Sequence, residues 1–388
     1  MKNNLLSIYI HWPFCESKCP YCDFNSHVLK SISEKNWVDG IVHELNRYKN
    51  LLDYQGVKSI FFGGGTPSLM SGSSVDTIIN TIQKLWTLNE DCEITLEANP
   101  SSSEAARFLD YKNAGVNRLS IGLQALNDKD LKTLGRKHSY QEGLKAYECG
   151  LKIFDKVSAD LIYARPHQTL DEWQKELHSI LHYKPTHLSL YQLTIEPGTL
   201  FENLYKRGDL KIPHDQLAYD FYELTDQMTS AQGLHSYEIS NYAVSGFESI
   251  HNQTYWNYQP YLGVGPGAHS RLSLGTNLPS STQTYHAIHQ YKAPLTWKNS
   301  LQANSHADAS NIALTPVEMF EEQIMVGLRL KKGILKSQLI RPLNEQEHSH
   351  YSHLIKENYA IETDDRLMLT DSGRLLLNSV LGYFLNTD

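Results

Sequence analysis

The sequence is poor in the features that mark several large protein classes. No apolar run in its 388 residues approaches the ~18 that a membrane-spanning helix needs. The opening stretch, MKNNLLSIYIHWPF, has neither the apolar core nor the cleavage site of a signal peptide, so a cytoplasmic location is expected, with peripheral membrane contact left open. Basic residues are in deficit, 35 Lys and Arg against 43 Asp and Glu, which offers no general nucleic-acid footprint; no nucleic-acid partner is expected. Cysteine is scarce and odd in number, at five, which excludes a secreted disulfide framework and suits a reducing compartment. Internal repeats and long low-complexity segments are also missing.

Three of those five cysteines fall within the eleven residues FCESKCPYCDF, as Cys15, Cys19 and Cys22. Thiolates are soft ligands that suit zinc and iron–sulfur clusters. A structural zinc wants four closed ligands, and His11 or His27 could complete a Cys3His site, although no second knuckle appears. A four-iron cluster held by three thiolates leaves one iron open to an outside ligand. Both readings stand at this point. Cys92 and Cys149 sit in a strand pattern and at a helix end, and are expected to be small buried hydrophobes.

The first half alternates short apolar runs with amphipathic stretches. SIYIHW, VKSIFF, CEITLEAN, NRLSIGL, KVSADLIYA and THLSLYQL read as strands, with helical segments such as 34–52 and 74–86 between them. The fold class expected is α/β: a partial (β/α)6 TIM-like barrel over 1–235 and a smaller α-rich C-terminal domain over 236–388. Residues 280–310 read as a loop-rich connection. From about 315 to 388 the order is helix, helix, hairpin, helix, with Asp364-Asp365 in the hairpin turn, which is winged-helix-like.

Polar and glycine-rich residues gather at the predicted strand ends. Cys15 follows the first strand, and Gly64, Gly65 and Thr66 follow the second. Glu97 ends the third and Gln124 the fourth, while Asp160 lies on the fifth. In parallel βα folds active sites collect at such ends, so these residues should line one mouth.

The Cys15-x3-Cys19-x2-Cys22 spacing, with Tyr21 inside it, resembles the signature of radical S-adenosylmethionine (SAM) proteins. That resemblance implies a [4Fe-4S] cluster on the three cysteines and SAM on the open iron. It also implies cofactor contacts from Tyr9, Tyr21, Gly64, Gly65, Thr66, Glu97, Gln124, Arg136 and Asp160. The phrases IHWPFCESKCPYC, DLIY, YEISNYA and GVGPGAHS are similar to the branch that holds oxygen-independent coproporphyrinogen III dehydrogenases and related heme chaperones. Phe24 stands where the dehydrogenases usually carry a fourth cysteine, and few residues precede Cys15. His251-Asn252-Gln253-Thr254-Tyr255-Trp256 matches the chaperones' HNxxYW element.

The resemblance therefore implies a heme chaperone with heme as a third cofactor, contacted by His251, Tyr255 and Trp256. Its partners would be client hemoproteins such as respiratory-chain enzymes, with homodimerisation left open. Anaerobic decarboxylation of coproporphyrinogen III is the enzymatic alternative, and radical modification of RNA a third. In Ala164-Arg165-Pro166-His167-Gln168 the chain departs from the family's Gly-x-Pro-x-Gln, which puts the shape of a second-ligand pocket in question.

Overall fold

The computed structural model describes residues 5–29, 33–274 and 284–385. Six parallel strands form where the sequence predicts them: β1 (Leu5–Trp12), β2 (Gly56–Gly64), β3 (Thr87–Ala98), β4 (Arg118–Gln124), β5 (Lys156–Tyr163) and β6 (His187–Gln192). Their outer side chains are apolar and covered by helices. Ile8 and Ile10 on β1, Ile60 and Phe62 on β2, and Leu119 and Ile121 on β4 are fully buried. The opposite, concave side is polar: Ser7, Tyr9 and His11 alternate with those isoleucines on β1. Alternation of this kind aims every second residue into the barrel.

The connecting helices follow from their apolar spacing. In the helix Glu34–Leu51, Trp37, Val38, Ile41, Leu45 and Tyr48 share the buried face. Ser139 with Glu142 and Thr169 with Glu172 form capping boxes that start the helices Tyr140–Ile153 and Leu170–Leu181. Burying each large apolar side chain contributes roughly 1.5–3 kcal/mol, so this face, more than helix propensity, holds the helix down.

The barrel does not close. Beyond β6 the sheet continues through β7 (His235–Ser236) and β8 (Asn241–Ala243). Beyond β1 it continues through β9 (Tyr261–Val264), β10 (His269–Leu274), β11 (Thr284–Gln290) and β12 (Asp308–Ala313). The order is β12-β11-β10-β9-β1-β2-β3-β4-β5-β6-β8-β7, and β9 pairs parallel to β1 as a seventh parallel strand. The border expected at residues 235 and 236 thus falls inside β7, within one sheet. Residues 284–310, expected as loop, form β11, the helix Pro294–Asn304 and the first half of β12. The edge strand β12, DASNIA, is polar, and β11 beside it, TYHAIHQ, is half polar, so both hide among loop compositions; residues 280–283 of that expectation lie outside the described residues.

The C-terminal residues have a core of their own, built from Phe320, Ile324, Leu328, Tyr351, Leu354, Leu367, Val380 and Phe384. Strands Ala360–Glu362 and Arg366–Leu369 pair antiparallel around the Asp364-Asp365 turn, with Ile334–Leu335 as a third strand. Arg374 Nη2 donates to the Glu238 carbonyl, and Glu322 accepts from Tyr258 and Arg271, which fastens this unit to the sheet. Among the described residues no helix is long and apolar enough to cross a membrane.

Candidate functional site

The strand ends open on a cavity of about 490 Å³. Cys15, Cys19, Cys22, Tyr21, Gly64, Gly65, Thr66, Glu97, Gln124, Arg136 and Asp160 all line it. The convergence expected from strand-end placement is therefore present. Tyr9 is not among the lining residues: it lies deeper in the barrel, with its ring on Phe61 and its hydroxyl on His11.

The cysteines sit on a loop whose entry is held by backbone hydrogen bonds. Thr66 N–H donates to the Phe14 carbonyl at 2.8 Å and Gly65 N–H to the Trp12 carbonyl at 2.7 Å. A Cβ on Gly65 would come within 2.7 Å of the Phe14 carbonyl oxygen, and one on Gly64 within 2.6 Å of the His11 ring. These glycines line the cavity, but their tightest demand comes from the cysteine loop. Gly64 also needs its φ of +111°.

Donors address the sulfurs. The Thr66 hydroxyl lies 3.3 Å from Cys15 Sγ and accepts from Asn99 Nδ2 at 3.4 Å. Arg136 Nη1 lies 3.6 Å from Cys19 Sγ. Burial pushes the Cys15 and Cys22 thiols up, so metal must displace their protons. Among the described residues no group of three or more His, Cys, Asp and Glu closes on one ion-sized point; the thiols border a wider space. A Cys3His zinc site lacks its fourth ligand here. His11 donates from Nε2 to the Asn25 carbonyl at 2.9 Å and accepts the Tyr9 hydroxyl at Nδ1, while His27 Nε2 bonds Asn25 Oδ1. Three soft ligands with a cation and a hydroxyl donor beside them fit an iron–sulfur cluster.

Across the cavity stand two carboxyls. Burial, with Asp160 nearby, pushes Glu97 up to about 8, although Gly64 N–H donates to it at 3.2 Å. Burial also pushes Asp160 up, to about 6, against hydroxyls donated by Ser120 and Ser158 at 2.8 and 2.9 Å. Carboxyls so placed favour a cationic ligand, because a bound cation restores their charged form.

Gln124 reaches the cavity from a strained turn. Its φ is +67°, at a register shift in β4. A side chain in the left-handed region costs about 1–2 kcal/mol, and such strain concentrates at functional sites. Arg165, feared from the sequence as bulk at the mouth, points beneath it. Only 1% exposed, it donates to Asp130 at 3.0 Å and to Glu176, and its Nη1 reaches the Gln124 carbonyl at 3.5 Å.

Sequence reading missed Asn99, Tyr191 and His138, which also line the cavity. Asn99 belongs to the same LEANP stretch as Glu97, and its Oδ1 accepts from Arg136. Tyr191 follows the strand alternation of β6, which was the available signal.

The HNxxYW element forms the helix Ile250–Trp256, away from this cavity, against β2 at the other end of the barrel. His251 is 1% exposed and stacks on Phe61. Ser59 donates its proton to Ser7, so His251 donates from Nδ1 to Ser59 at 2.9 Å. Its Nε2 then accepts the Tyr255 hydroxyl at 2.8 Å. Burial lowers this imidazole to about 3, so it is neutral. Trp256 lies instead under the Arg329 guanidinium and lines a separate cavity of about 140 Å³ beside the C-terminal unit.

Residues 9–180 match the model of the radical SAM superfamily. Heme chaperone HemW of Escherichia coli is 38% identical, with 98% of each chain covered. Heme chaperone HemW of Bacillus subtilis is 33% identical over 98% of this chain and 99% of that one. The chain belongs to the radical SAM superfamily. A mitochondrial radical SAM domain-containing protein 1 of Danio rerio is 35% identical over 97% of this chain and 86% of its own length. Among solved structures, coproporphyrinogen III oxidase (HemN) from Escherichia coli superposes with a TM-score of 0.81 over 98% of this chain and 90% of that one. At 20% identity that likeness shows the shared fold, an open sheet with helical regions. Radical SAM membership brings a [4Fe-4S] cluster and SAM as cofactors.

Proposed function

We propose that this protein is a heme chaperone built on a radical SAM core. The observation that carries the reading is end-to-end similarity to two bacterial proteins named heme chaperone HemW, at 33–38% identity with 98% of this chain covered. Phe24, 59% exposed at the cavity rim where the dehydrogenases place a fourth cysteine, supports it.

Cys15, Cys19 and Cys22 would hold the cluster, and the chemistry it supplies when bound is one-electron reduction of the SAM sulfonium. The chain's own residues bind and orient. Arg136 and Thr66 offset thiolate charge, and Glu97 and Asp160 accept the positive end of SAM. Gly64, Gly65, Gln124 and Tyr21 shape the walls, and Tyr9 fixes His11 from below.

Heme contact is assigned to the Ile250–Trp256 helix. His251 has its Nε2 lone pair capped by Tyr255, so ligation there requires that hydrogen bond to open. Partners are heme and client hemoproteins such as respiratory-chain enzymes, reached by peripheral membrane contact. Five free cysteines suit a reducing cytoplasm.

The test is transfer. Heme-loaded protein mixed with an apo-hemoprotein should convert it to the holo form faster than free heme at equal concentration. Failure to load heme, or loading with no handover, contradicts the reading.

A further inference from the structure

The GVGPGAHS stretch, Gly263–Ser270, has no part in the site described above, yet it touches the root of the cysteine loop. Asn25 stands three residues after Cys22, and its side-chain amide is fully engaged. Nδ2 donates to the Pro266 carbonyl at 2.8 Å and to the Lys292 carbonyl at 2.9 Å. Oδ1 accepts from His27 Nε2 at 3.1 Å, and the Asn25 main-chain carbonyl accepts from His11 Nε2 at 2.9 Å. No room is left over. A Cβ on Gly267 would come within 2.4 Å of Asn25 Nδ2, and a Cβ on Gly265 within 2.3 Å of the His11 carbonyl oxygen. Both glycines also hold positive φ, +83° and +120°.

We propose that Asn25 is a positioning residue for the cluster, a latch that fastens the cysteine loop to the Gly263–Ser270 turn. Gly64–Thr66 clamps the loop before Cys15, and the latch clamps it after Cys22. Thiol spacing is then set from two sides. The acceptors that receive Asn25, the Pro266 and Lys292 carbonyls, lie outside residues 9–180 that carry the radical SAM match, so the stretch from β9 to the end of β11 becomes part of the cluster site. The side chain that matters is an amide, since both acceptors it meets are carbonyls. An aspartate would turn a lone pair toward each of them.

The inference rests on the cluster reading, so the test has one arm that does not need iron. In the metal-free full chain, alkylation of Cys15, Cys19 and Cys22 by a maleimide is timed for wild type, Asn25→Asp and Gly267→Ala. Loss of the two hydrogen bonds that Nδ2 donates should raise the labelling rate about tenfold in Asn25→Asp. Thermal unfolding of the metal-free chain should stay near wild type. The second arm times cluster loss to an iron chelator after anaerobic reconstitution, where both variants should lose iron about tenfold faster. His27→Ala removes the Oδ1 contact while leaving both Nδ2 bonds in place, and serves if Asn25→Asp fails to fold; it should show the same change at smaller amplitude. Unchanged labelling and chelation in folded variants would overturn the latch. A wild type that takes up no iron, with labelling still accelerated in the variants, would sink the cluster reading and leave the latch standing.

Discussion

Arg136 reaches Cys19 Sγ with Nη1 at 3.6 Å while its Nη2 donates to the Gly122 carbonyl at 3.2 Å. The guanidinium is thus fixed by the barrel and aimed at the sulfur. A fixed cation beside a cluster favours its reduced, more negative state. Arg136→Gln should therefore lower the cluster potential by on the order of 50–100 mV, the size of one charge at short range and intermediate dielectric. Electrochemical titration of the reconstituted variant reads this directly. An unchanged potential with full iron content would remove Arg136 from the cluster's surroundings.

Glu97 predicts a pH dependence. Its carboxyl is raised to about 8, chiefly by burial and then by Asp160. Between the ordinary carboxylate range and about 8 the folded chain holds a proton that the unfolded chain has released. The group's contribution to stability is full below that window and is lost as pH rises through about 8. A cationic ligand needs the ionised form. SAM binding should therefore tighten by up to about tenfold per pH unit as pH rises toward 8, with a proton released on binding. Calorimetry in buffers of different ionisation enthalpy measures that proton. Glu97→Gln should bind weakly with no such release.

His251 is closed by Tyr255 in the folded chain. Tyr255→Phe removes the hydroxyl and bares the Nε2 lone pair, so heme affinity should rise about 3–10-fold, the worth of one hydrogen bond. His251→Ala should abolish binding, leave the Tyr255 hydroxyl without its acceptor and reduce Ser59 to its bond with Ser7, costing about 2–4 kcal/mol in unfolding. Heme titrations and chemical denaturation separate the two effects. Unaltered heme affinity in both variants would take the ligand role away from this helix.

Ala164 holds a φ of +55° where the Gly-x-Pro-x-Gln pattern has glycine, and His167 holds one of +63° three residues on. The left-handed conformation costs a side chain about 1–2 kcal/mol, and glycine loses about 0.5–1 kcal/mol of that gain through unfolded-state entropy. His167→Gly should stabilise the chain by about 0.5–1 kcal/mol. A denaturant midpoint at or below wild type would show that His167 makes contacts that repay its strain.

What the sequence made legible was whatever repeats with a period or a fixed spacing. Alternation in SIYIHW and VKSIFF gave the parallel strands, and strand ends gave the mouth from Cys15 to Asp160. β12 escaped because a solvent-facing edge strand carries loop-like residues, and β11 because three of its seven residues are His or Gln. The seventh parallel strand at Tyr261–Val264 escaped because it is four residues long and joins β1 from 254 positions away, Ser7 pairing with Tyr261. Side-chain direction was out of reach altogether. Nothing in the letters Ala164-Arg165-Pro166 says that the guanidinium turns under the turn toward Asp130 and Glu176. Nor do they say that His251 has both nitrogens occupied.

The most direct measurement is a paired assay on the anaerobically reconstituted full chain: heme titration in one vessel, coproporphyrinogen III with SAM and reductant in the other. The expected result is saturable heme binding and unchanged coproporphyrinogen. Conversion to protoporphyrinogen, with no saturable heme binding, would contradict the account and make this chain a dehydrogenase.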